Sequence, residues 1–252
     1  MPLKQRKVLL TGGSGGIGRL VAIEFVREGA DLVVMSRNDA GSAGARHLHA
    51  DLSTSDGIAA ACGIVANEEP DILVNLAGVQ FFGPIELQSF EDISESYMIN
   101  LIAPVALCKA ALPSMRRRNS GQIVNIGSVL GSLALAHFAT YSSAKSGLRA
   151  FSEAFRRELV DTNVSVTYIA PRAVRTGLIT PAIQKYAEIT GMRIDDPVAV
   201  SAKIIAAIKL RKKEVSIGFP EHLFARFNAL LPRIVDAALA GNDRKARKLF
   251  AS

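Results

Sequence analysis

Short apolar runs of the kind that form buried strands alternate with helical segments along most of the chain. Several of these runs are nearly continuous Val, Ile and Leu, which is typical of strands covered on both faces. Such alternation predicts one mostly parallel sheet with helices on both sides. The predicted strands are KVLLT, DLVVMS, ARHLHA, DILVNLA, GQIVNIGS, VSVTYIA and EVSIGF, and the predicted helices include 17–28, 95–118, 141–160 and 197–210.

The length of 252 residues suits one domain, because α/β sheets of this size routinely form a single unit. The composition, 49% hydrophobic and 21% charged, provides ample material for a core. We expect a single doubly wound α/β domain with a seven-stranded, mostly parallel sheet over 1–218. Residues 219–252 are expected to form a helical C-terminal extension of the same domain. The connection 36–45 is too short and too glycine-rich for a crossover helix, so we expect a loop or one turn there.

The net charge of +7 raises the question of nucleic acid. No aromatic residue is interleaved with the basic clusters at 116–118 and 244–248, and the chain contains no Trp, so we exclude nucleic-acid binding.

Cys62 and Cys108 lie in predicted helices without a CxxC spacing, which indicates structural thiols in a reducing compartment and no metal site. The short apolar run before the first glycines is too short for a signal peptide or a membrane span, and no other run approaches 18 apolar residues. We expect a cytoplasmic protein.

The stretch TGGSGGIG, residues 11–18, places five glycines in seven positions where the first strand becomes the first helix. Glycine is costly to order, so a flexible tight turn is the less demanding interpretation. The more specific one is a phosphate site, because bare backbone and a helix N-terminus both favour an anion. The spacing fits GxxxGxG through Gly12, Gly16 and Gly18, and it fits GxxGxxG equally well through Gly15. The strand–helix–strand setting indicates that the bound anion belongs to a dinucleotide.

Further polar residues follow the later strands, whose carboxyl ends form one crevice in a doubly wound sheet. NLAG (75–78) follows the fourth strand, Ser128 the fifth, and PRAVRT (171–176) the sixth. Tyr141 and Lys145 are four positions apart and therefore share one helical face. An ammonium there would stabilise the tyrosinate and lower the phenol pKa, as a general acid/base requires. Ser128 is placed to hydrogen-bond the same substrate oxygen.

Three motifs together resemble the short-chain dehydrogenase/reductase family of the compact, non-extended type: TGGSGGIG for TGxxxGxG, NLAG for NAAG, and YSSAK for YxxxK. A serine thirteen positions before the tyrosine and an asparagine in MIN also match, and the likeness extends from about 7 to 210. It selects the GxxxGxG spacing, because the extended members that use GxxGxxG carry an additional substrate domain. The resemblance implies a Rossmann fold, a nicotinamide cofactor, a small carbonyl or alcohol substrate, and a homodimer or homotetramer.

The resemblance also implies catalytic roles for four residues. Tyr141 would exchange the proton and Ser128 would hold the carbonyl. Lys145 would activate the tyrosine and bind the nicotinamide ribose, and Asn100 would hold a water in a relay to Lys145. The implied cofactor contacts are Gly12, Gly16 and Gly18 at the pyrophosphate, Asp51 at the adenine, Asn75 at the adenosine ribose, and Ser14, Ile17, Arg37, Leu52, Ala77, Gly78, Tyr141, Lys145, Pro171 and Thr176.

The end of the second strand bears on the choice of cofactor. An Asp or Glu there would bind the ribose hydroxyls and repel a 2′-phosphate. This chain has Ser36 and Arg37, a hydroxyl and a guanidinium that suit a phosphate. The sequence therefore favours NADP(H) over NAD, the alternative being that Arg37 extends into solvent.

The substrate region is mostly apolar. By resemblance, Phe81, Phe82, 130–138 and 178–194 border the pocket, the alternative being that half of them simply pack as core. We expect a lipophilic carbonyl compound or secondary alcohol. Arg172 stands where family members often have glycine, and we expect it to point to solvent, with contact to an anionic substrate as the alternative. His137 is a candidate helper near the site.

The C-terminal segment departs from the commonest family pattern. Leu223, Phe224, Phe227, Leu230 and Leu231 recur at three- and four-residue steps, which predicts an apolar stripe on a helix. Pro232 is predicted to break or restart this helix, and the pair at 241–242 (Gly-Asn) to end it. We expect a helical lid and subunit contact near the substrate entrance. The alternatives are packing on its own subunit alone and contact with an anionic membrane surface.

These patterns predict an NADP(H)-dependent oxidoreductase that interconverts a carbonyl and a secondary alcohol on a lipophilic substrate. The enzymatic alternative is a 3-oxoacyl-[carrier protein] reductase, in which the arginines at 116–118 would dock an acidic carrier. The non-enzymatic alternative is an NADP-sensing binding protein. The intact set of Ser128, Tyr141 and Lys145 argues against the sensor.

Overall fold

The computed structural model of the protein describes residues 1–39, 44–218, 228 and 230–250. Seven strands of this part form one sheet in the order β3-β2-β1-β4-β5-β6-β7, and every neighbouring pair is parallel. The predicted doubly wound α/β architecture is therefore confirmed. The strands are β1 (Lys7–Thr11), β2 (Asp31–Ser36), β3 (Ala45–His49), β4 (Ile72–Asn75), β5 (Gly121–Ile126), β6 (Val164–Pro171) and β7 (Glu214–Ile217).

Helices cover both faces of the sheet. The described helices are α1 (Gly16–Arg27), α2 (Ser55–Glu68), α3 (Phe90–Tyr97), α4 (Ala103–Arg117), α5 (Ala139–Glu158), α6 (Pro181–Thr190), α7 (Pro197–Lys209) and α8 (Pro232–Arg247). Successive strand residues point to opposite faces, so Val8 and Leu10 pack with α1 and α7, whereas Leu9 packs with α2, α4 and α5. All three side chains are completely buried, which explains why β1 is continuously apolar.

The central position of β1 determines where a ligand can bind. The chain runs outward from β1 to β2 and β3 on one side and to β4, β5, β6 and β7 on the other. At such a reversal the loops at the carboxyl ends of the neighbouring strands diverge and leave a crevice between them. The glycine-rich stretch at 11–18 and the NLAG segment at 75–78 both lie at this edge.

The helical run that crosses beneath the site is longer than the sequence pattern predicted. It begins at Phe90, passes through a single π-helical turn at Met98–Ile102, and continues to Arg117. By length and composition this run of 28 residues is apolar enough to cross a membrane. Half of its most apolar window is buried inside the protein, as is usual for a core helix, and α4 packs against α2 and α5.

Two predicted connections have different outcomes. The residues described between β2 and β3, 37–39 and 44, are not helical, and 40–43 lie outside the described residues.

The prediction that the pair at 241–242 ends the last helix is wrong, because α8 starts at Pro232 as predicted but continues to Arg247. Asn242 Nδ2 donates to Thr190 O at 3.4 Å, a contact with α6 that fixes this turn. Leu223, Phe224 and Phe227 of the predicted stripe lie outside the described residues.

Candidate active site

A cavity of about 460 Å³ lies at the carboxyl ends of the strands. The glycine-rich loop and the end of β2 form one end of it, and the loop after β5, the start of α5 and the segment after β6 form the other. Most of the predicted site residues meet here. Those that line the cavity are Gly12, Ser14, Gly16, Ile17, Arg37, Leu52, Ala77, Gly78, Ser128, Tyr141, Lys145, Pro171 and Thr176. Four others, Gly18, Asp51, Asn75 and Asn100, do not line it.

The glycine-rich loop shows which of the two spacings the fold requires. Gly16 has φ +51°, a left-handed conformation that favours glycine, whereas Gly15 has φ −145° and open space where a Cβ would lie. Gly18 packs so closely that a Cβ would lie 2.0 Å from Gly12 O. The GxxxGxG spacing is therefore the one that the backbone needs. No side chain caps the N-terminus of α1, which leaves its N–H groups directed at the cavity for a diphosphate.

The other end of the cavity brings Ser128, Tyr141 and Lys145 together. Ser128 follows β5 and caps a short turn, because its Oγ accepts from Leu130 N at 3.1 Å. The Tyr141 hydroxyl lies next to the Ser128 side chain, which favours the ionised form of the phenol. Lys145 lies one turn further along α5, where its Nζ donates to Ile126 O at 3.1 Å. All three side chains are buried, so water competes little for their polar atoms.

Burial controls the ionisation of this group. It raises the pKa of Tyr141 to about 12, against a smaller lowering effect of the hydrogen bond with Ser128. It lowers the pKa of Lys145 to about 8. The expectation that the ammonium brings the Tyr141 pKa toward neutrality is wrong for the protein alone, because desolvation dominates. Tyr141 is consequently a protonated phenol at neutral pH, which is the form that can give a proton away.

Asn100 lies behind the cavity on the π-helical turn. Its Nδ2 donates to Val79 O at 2.8 Å and to Ser96 O at 2.9 Å, which fixes the orientation of the amide. Its buried Oδ1 accepts no hydrogen bond from the described residues. A Cβ on Gly78 would lie 3.0 Å from this oxygen and 3.7 Å from Lys145 Nζ, so both atoms face the same glycine. An acceptor in this position is what the predicted relay to Lys145 requires.

Polar groups cluster where β2 ends, at the adenosine end of the cavity. Ser36, Arg37 and Asn38 line it together. Ser36 Oγ donates to Asn38 O at 2.8 Å and lies 3.1 Å from His47 Nε2, so its hydroxyl is held in place. Arg37 is 56% exposed and forms an ion pair with Glu95 at 3.6 Å. Arg37 therefore has a carboxylate partner of its own.

Asp51 organises a turn beside the cavity. Its carboxylate accepts from Ser53 N at 2.9 Å and from Ser53 Oγ at 2.7 Å, and these hydrogen bonds hold the pKa of Asp51 below its usual value. The two neighbours of Asp51, Ala50 and Leu52, line the cavity. The carboxylate thus fixes the turn before α2, and Ala50 and Leu52 form the cavity surface on either side of it.

Asn75 belongs to a buried polar network in the core. Its Nδ2 donates to Asn125 Oδ1 at 2.8 Å and lies 3.4 Å from Cys108 Sγ. Asn125 Nδ2 in turn donates to Ser152 Oγ at 2.9 Å. These hydrogen bonds join β4 and β5 to α5, the helix that carries Tyr141. Asn75 is thus linked to α5 through Asn125.

The substrate end of the cavity has an apolar wall. The segments predicted to border it do contribute, and the sequence reasoning missed Val79 and Gln80, which follow NLAG directly at the same strand end. Gln80 Nε2 donates to Leu178 O at 3.5 Å across the mouth. The wall residues are Val79, Gln80, Leu130, Leu133, Leu135, Phe138, Leu178, Ile179, Ile183, Met192 and Arg193. Phe81 and Phe82 are not among the lining residues.

Arg172 and His137 are placed differently from what the sequence indicated. The expectation that Arg172 points to solvent is wrong, because Arg172 lines the cavity, its side chain is 12% exposed, and Nη2 donates to Asp195 Oδ1 at 2.6 Å. His137 lies outside the main cavity, where its ring centroid is 4.7 Å from that of Phe250. Burial lowers the pKa of His137. The φ of His137, +68°, places the residue at a sharp turn that leads into α5. Its position thus indicates a structural role.

The C-terminal helix supports the apolar wall from behind. Ala246 of α8 is completely buried in a cluster with Phe138, Ile183 and Tyr186, and two of these, Phe138 and Ile183, line the cavity. Phe82 joins the same cluster through its contact with Phe138 at 4.7 Å between ring centroids. The extension thus packs on its own subunit next to the substrate region.

A family profile described as short chain dehydrogenase matches residues 6–187. The chain is 32% identical to the ketoacyl reductase HetN of Nostoc sp. over 86% of its own length and 79% of the relative. It is 30% identical to a 3-ketodihydrosphingosine reductase of Bacteroides thetaiotaomicron over 84% of its length and 77% of that protein. Among solved structures, a short-chain dehydrogenase from Streptomyces avermitilis superimposes with a TM-score of 0.79 at 25% identity, covering 96% of this chain and 99% of the other.

Proposed function

The chain belongs to the short-chain dehydrogenase family of oxidoreductases, which act on carbonyl and alcohol groups with a nicotinamide cofactor, and on this basis we propose that it is an NADP(H)-dependent reductase of a lipophilic carbonyl compound. The observation that carries the proposal is the buried contact between Tyr141 and Ser128 beside Lys145, at the apolar end of the cavity. A substrate oxygen bound at this point would contact two hydroxyl groups, one from Ser128 and one from Tyr141.

The residues fit a nicotinamide dinucleotide along the length of the cavity. The uncapped N-terminus of α1 and the close-packed glycines suit the diphosphate, and Tyr141 and Lys145 stand at the opposite end. When bound, the cofactor supplies the hydride that reduces the carbonyl carbon. The lining of the cavity is mostly apolar, which limits the access of water to the reacting atoms.

The chain itself handles the oxygen and its proton. The Ser128 hydroxyl donates a hydrogen bond to the carbonyl oxygen and orients it. As the carbon gains a hydride, negative charge develops on this oxygen, and the Tyr141 phenol transfers its proton to form the alcohol. The Lys145 ammonium, whose Nζ lies 5.8 Å from the centre of the Tyr141 ring, stabilises the tyrosinate that remains. Oxidation of an alcohol follows the same steps in reverse.

Two features of the β2 end support NADP(H) over NAD. β2 ends in a serine hydroxyl, so the side chain at this position does not repel a phosphate as a carboxylate would. Arg37 lines the cavity beside it and provides a guanidinium, which pairs well with phosphate. The ion pair between Arg37 and Glu95 is exposed, and exposed pairs are weak enough for a phosphate to displace.

The apolar wall supports a lipophilic substrate. Leu130, Leu133, Leu135, Ile179 and Ile183 would surround the part of the substrate beyond its carbonyl. Burying such a chain is favourable by about 0.8 kcal/mol for each CH₂ group. Two of the similar proteins are named as reductases of keto compounds, which agrees with reduction as the direction of the reaction.

A panel of ketones with increasing alkyl length tests this function. NADPH oxidation is followed by absorbance, in parallel with NADH, for the wild type and for a Tyr141→Phe variant. We expect kcat/KM to rise with chain length, and to be higher with NADPH than with NADH. Cofactor binding without turnover on any carbonyl or alcohol would contradict the proposal and favour the sensor.

A 3-oxoacyl-[carrier protein] reductase remains the second candidate, because one similar protein is named a ketoacyl reductase. Its docking surface was predicted at the arginines 116–118. Two of these, Arg117 and Arg118, are paired with Glu69, and all three arginines are exposed. Comparison of free and carrier-linked 3-oxoacyl substrates separates the two functions, since only a carrier reductase gains kcat/KM from the carrier.

A further inference from the structure

The segment between β6 and α7 leaves the sheet, forms part of the cavity wall and returns, and its two ends meet. Val174 and Asp195 form a parallel β-bridge. Asp195 N donates to Ala173 O at 2.8 Å, and Arg175 N donates to Asp195 O at 3.0 Å. The segment 174–195 is thus a closed excursion. The cavity-lining residues of this segment are Val174, Thr176, Gly177, Leu178, Ile179, Ile183, Met192 and Arg193.

An ion pair lies directly at the base of this excursion. Arg172 Nη2 donates to Asp195 Oδ1 at 2.6 Å, and the two side chains are only 12% and 21% exposed. No other ion pair among the described residues has both partners so well shielded. A shielded pair with a charge-assisted hydrogen bond is stronger than a surface pair, and it tolerates the loss of one partner poorly.

The end of β7 is shaped around the arginine. Arg172 N donates to Ile217 O at 3.0 Å, which holds its backbone against β7. Gly218 follows with φ +134°, and a Cβ there would lie 2.8 Å from Arg172 Cδ. The side chain therefore crosses over Gly218 on its way to Asp195. Three separate elements, the ends of β6 and β7 and the residue before the cap of α7, meet at this arginine.

We propose that Arg172 is a positioning residue that, through Asp195, holds the base of the 174–195 excursion closed. The excursion carries Thr176 at the cofactor end and Ile183 at the substrate end, so its base sets the spacing between the two halves of the cavity. Opening the base weakens the binding of both ligands while the Ser128, Tyr141 and Lys145 group, which lies on other elements, keeps its geometry. This inference depends on the proposed function only in taking the second ligand to be the carbonyl substrate.

Amide hydrogen exchange tests the inference without any substrate. The variants are Arg172→Gln, Asp195→Asn and the double variant, with Arg172→Lys as the conservative replacement that keeps the charge. We expect exchange within 176–194 to become about tenfold faster or more in each single variant, because a hydrogen bond to a charged group is lost. Exchange in α1 should not change. The double variant should be no faster than the single variants, and Arg172→Lys should recover most of the protection.

Binding and kinetics complete the test. Fluorescence titration should show weaker NADPH binding in the single variants, and with an active ketone KM should rise several-fold while kcat changes less than twofold. Arg149→Gln is the matched control, because it breaks an exposed pair with Glu214 at 3.1 Å away from the excursion. Unchanged exchange within 176–194, or an equal increase throughout the chain, would overturn the inference. If exchange responds as expected and no carbonyl is reduced, the proposed function fails and the positioning role stands.

Discussion

Lys145 Nζ lies 5.8 Å from the centre of the Tyr141 ring, and both side chains are buried. Burial favours the neutral form of each group, so it raises the pKa of Tyr141 to about 12 and lowers that of Lys145 to about 8. The pair therefore holds a protonated acid next to an ammonium that is costly to keep charged. We therefore expect that removing the buried ammonium raises the free energy of unfolding and lowers the activity.

Replacement of Lys145 by Met should remove activity and change how stability depends on pH. The folded-state pKa of Lys145, about 8, lies below its ordinary value of 10.5, so the unfolded chain binds more protons between these values. Stability of the wild type consequently rises with pH in this window, by up to roughly 3 kcal/mol. Lys145→Met lacks this term. Its advantage in unfolding free energy over the wild type, measured by urea unfolding, should be largest near pH 7 and shrink toward pH 10. A difference that stays constant from pH 7 to pH 10 would show that Lys145 is not perturbed.

Arg37→Ala should weaken the binding of NADPH and leave that of NADH almost unchanged. A charge-assisted contact with the 2′-phosphate is worth about 1.5–3 kcal/mol, which corresponds to a roughly ten- to hundredfold loss of affinity. Fluorescence titration with both cofactors measures this, with Arg46→Ala as a control, since Arg46 pairs with Glu68 and does not line the cavity. Equal losses for the two cofactors would remove the support for NADP(H).

Glu95→Gln provides the opposite test at the same place. Glu95 holds Arg37 in an exposed ion pair at 3.6 Å, and a bound phosphate must compete with it. Exposed pairs contribute about 0.2–1 kcal/mol, so release of Arg37 should increase NADPH affinity by up to about fivefold. NADH affinity should stay the same. A loss of NADPH affinity would indicate that Glu95 orients Arg37 toward the phosphate.

The fold was predictable because its signals are local. Most of the strands are apolar runs bounded by turn residues, and a parallel sheet follows from strands that alternate with helices. The positions of Tyr141 and Lys145 also follow from helical spacing alone, and that of Ser128 from its place after a strand. These residues meet because the carboxyl ends of neighbouring strands share one edge.

The parts that could not be predicted depend on contacts between distant segments. The partner of Arg172 is 23 positions further along the chain, and nothing in the local pattern points to Asp195. Asn242 is a common helix-ending residue, but α8 continues past it to Arg247, and its side chain contacts Thr190 of α6. The pKa of Tyr141 was misjudged for a similar reason, since desolvation depends on everything packed around the ring.

Ala246→Leu tests whether α8 supports the substrate wall. Ala246 is completely buried against the cluster of Phe138, Ile183 and Tyr186, so extra methyl groups there should cost about 1–3 kcal/mol of stability and displace the wall. We expect KM for long-chain ketones to rise while NADPH affinity is unchanged. Ala237→Leu, at an exposed position of the same helix, is the control. If both variants have wild-type kinetics, α8 has no influence on the cavity.

The central claim is that the Tyr141 hydroxyl exchanges the proton with the substrate oxygen. Tyr141→Phe removes this hydroxyl and keeps the ring, and Tyr97→Phe is the matched control, because Tyr97 hydrogen-bonds Ser143 at 2.7 Å outside the cavity. The measurement is kcat/KM for NADPH-dependent reduction of the best ketone, with NADPH affinity determined for each variant. We predict a roughly hundred- to ten-thousandfold lower kcat/KM for Tyr141→Phe with NADPH binding retained, and no loss for Tyr97→Phe. A Tyr141→Phe protein that keeps most of its activity would contradict the account.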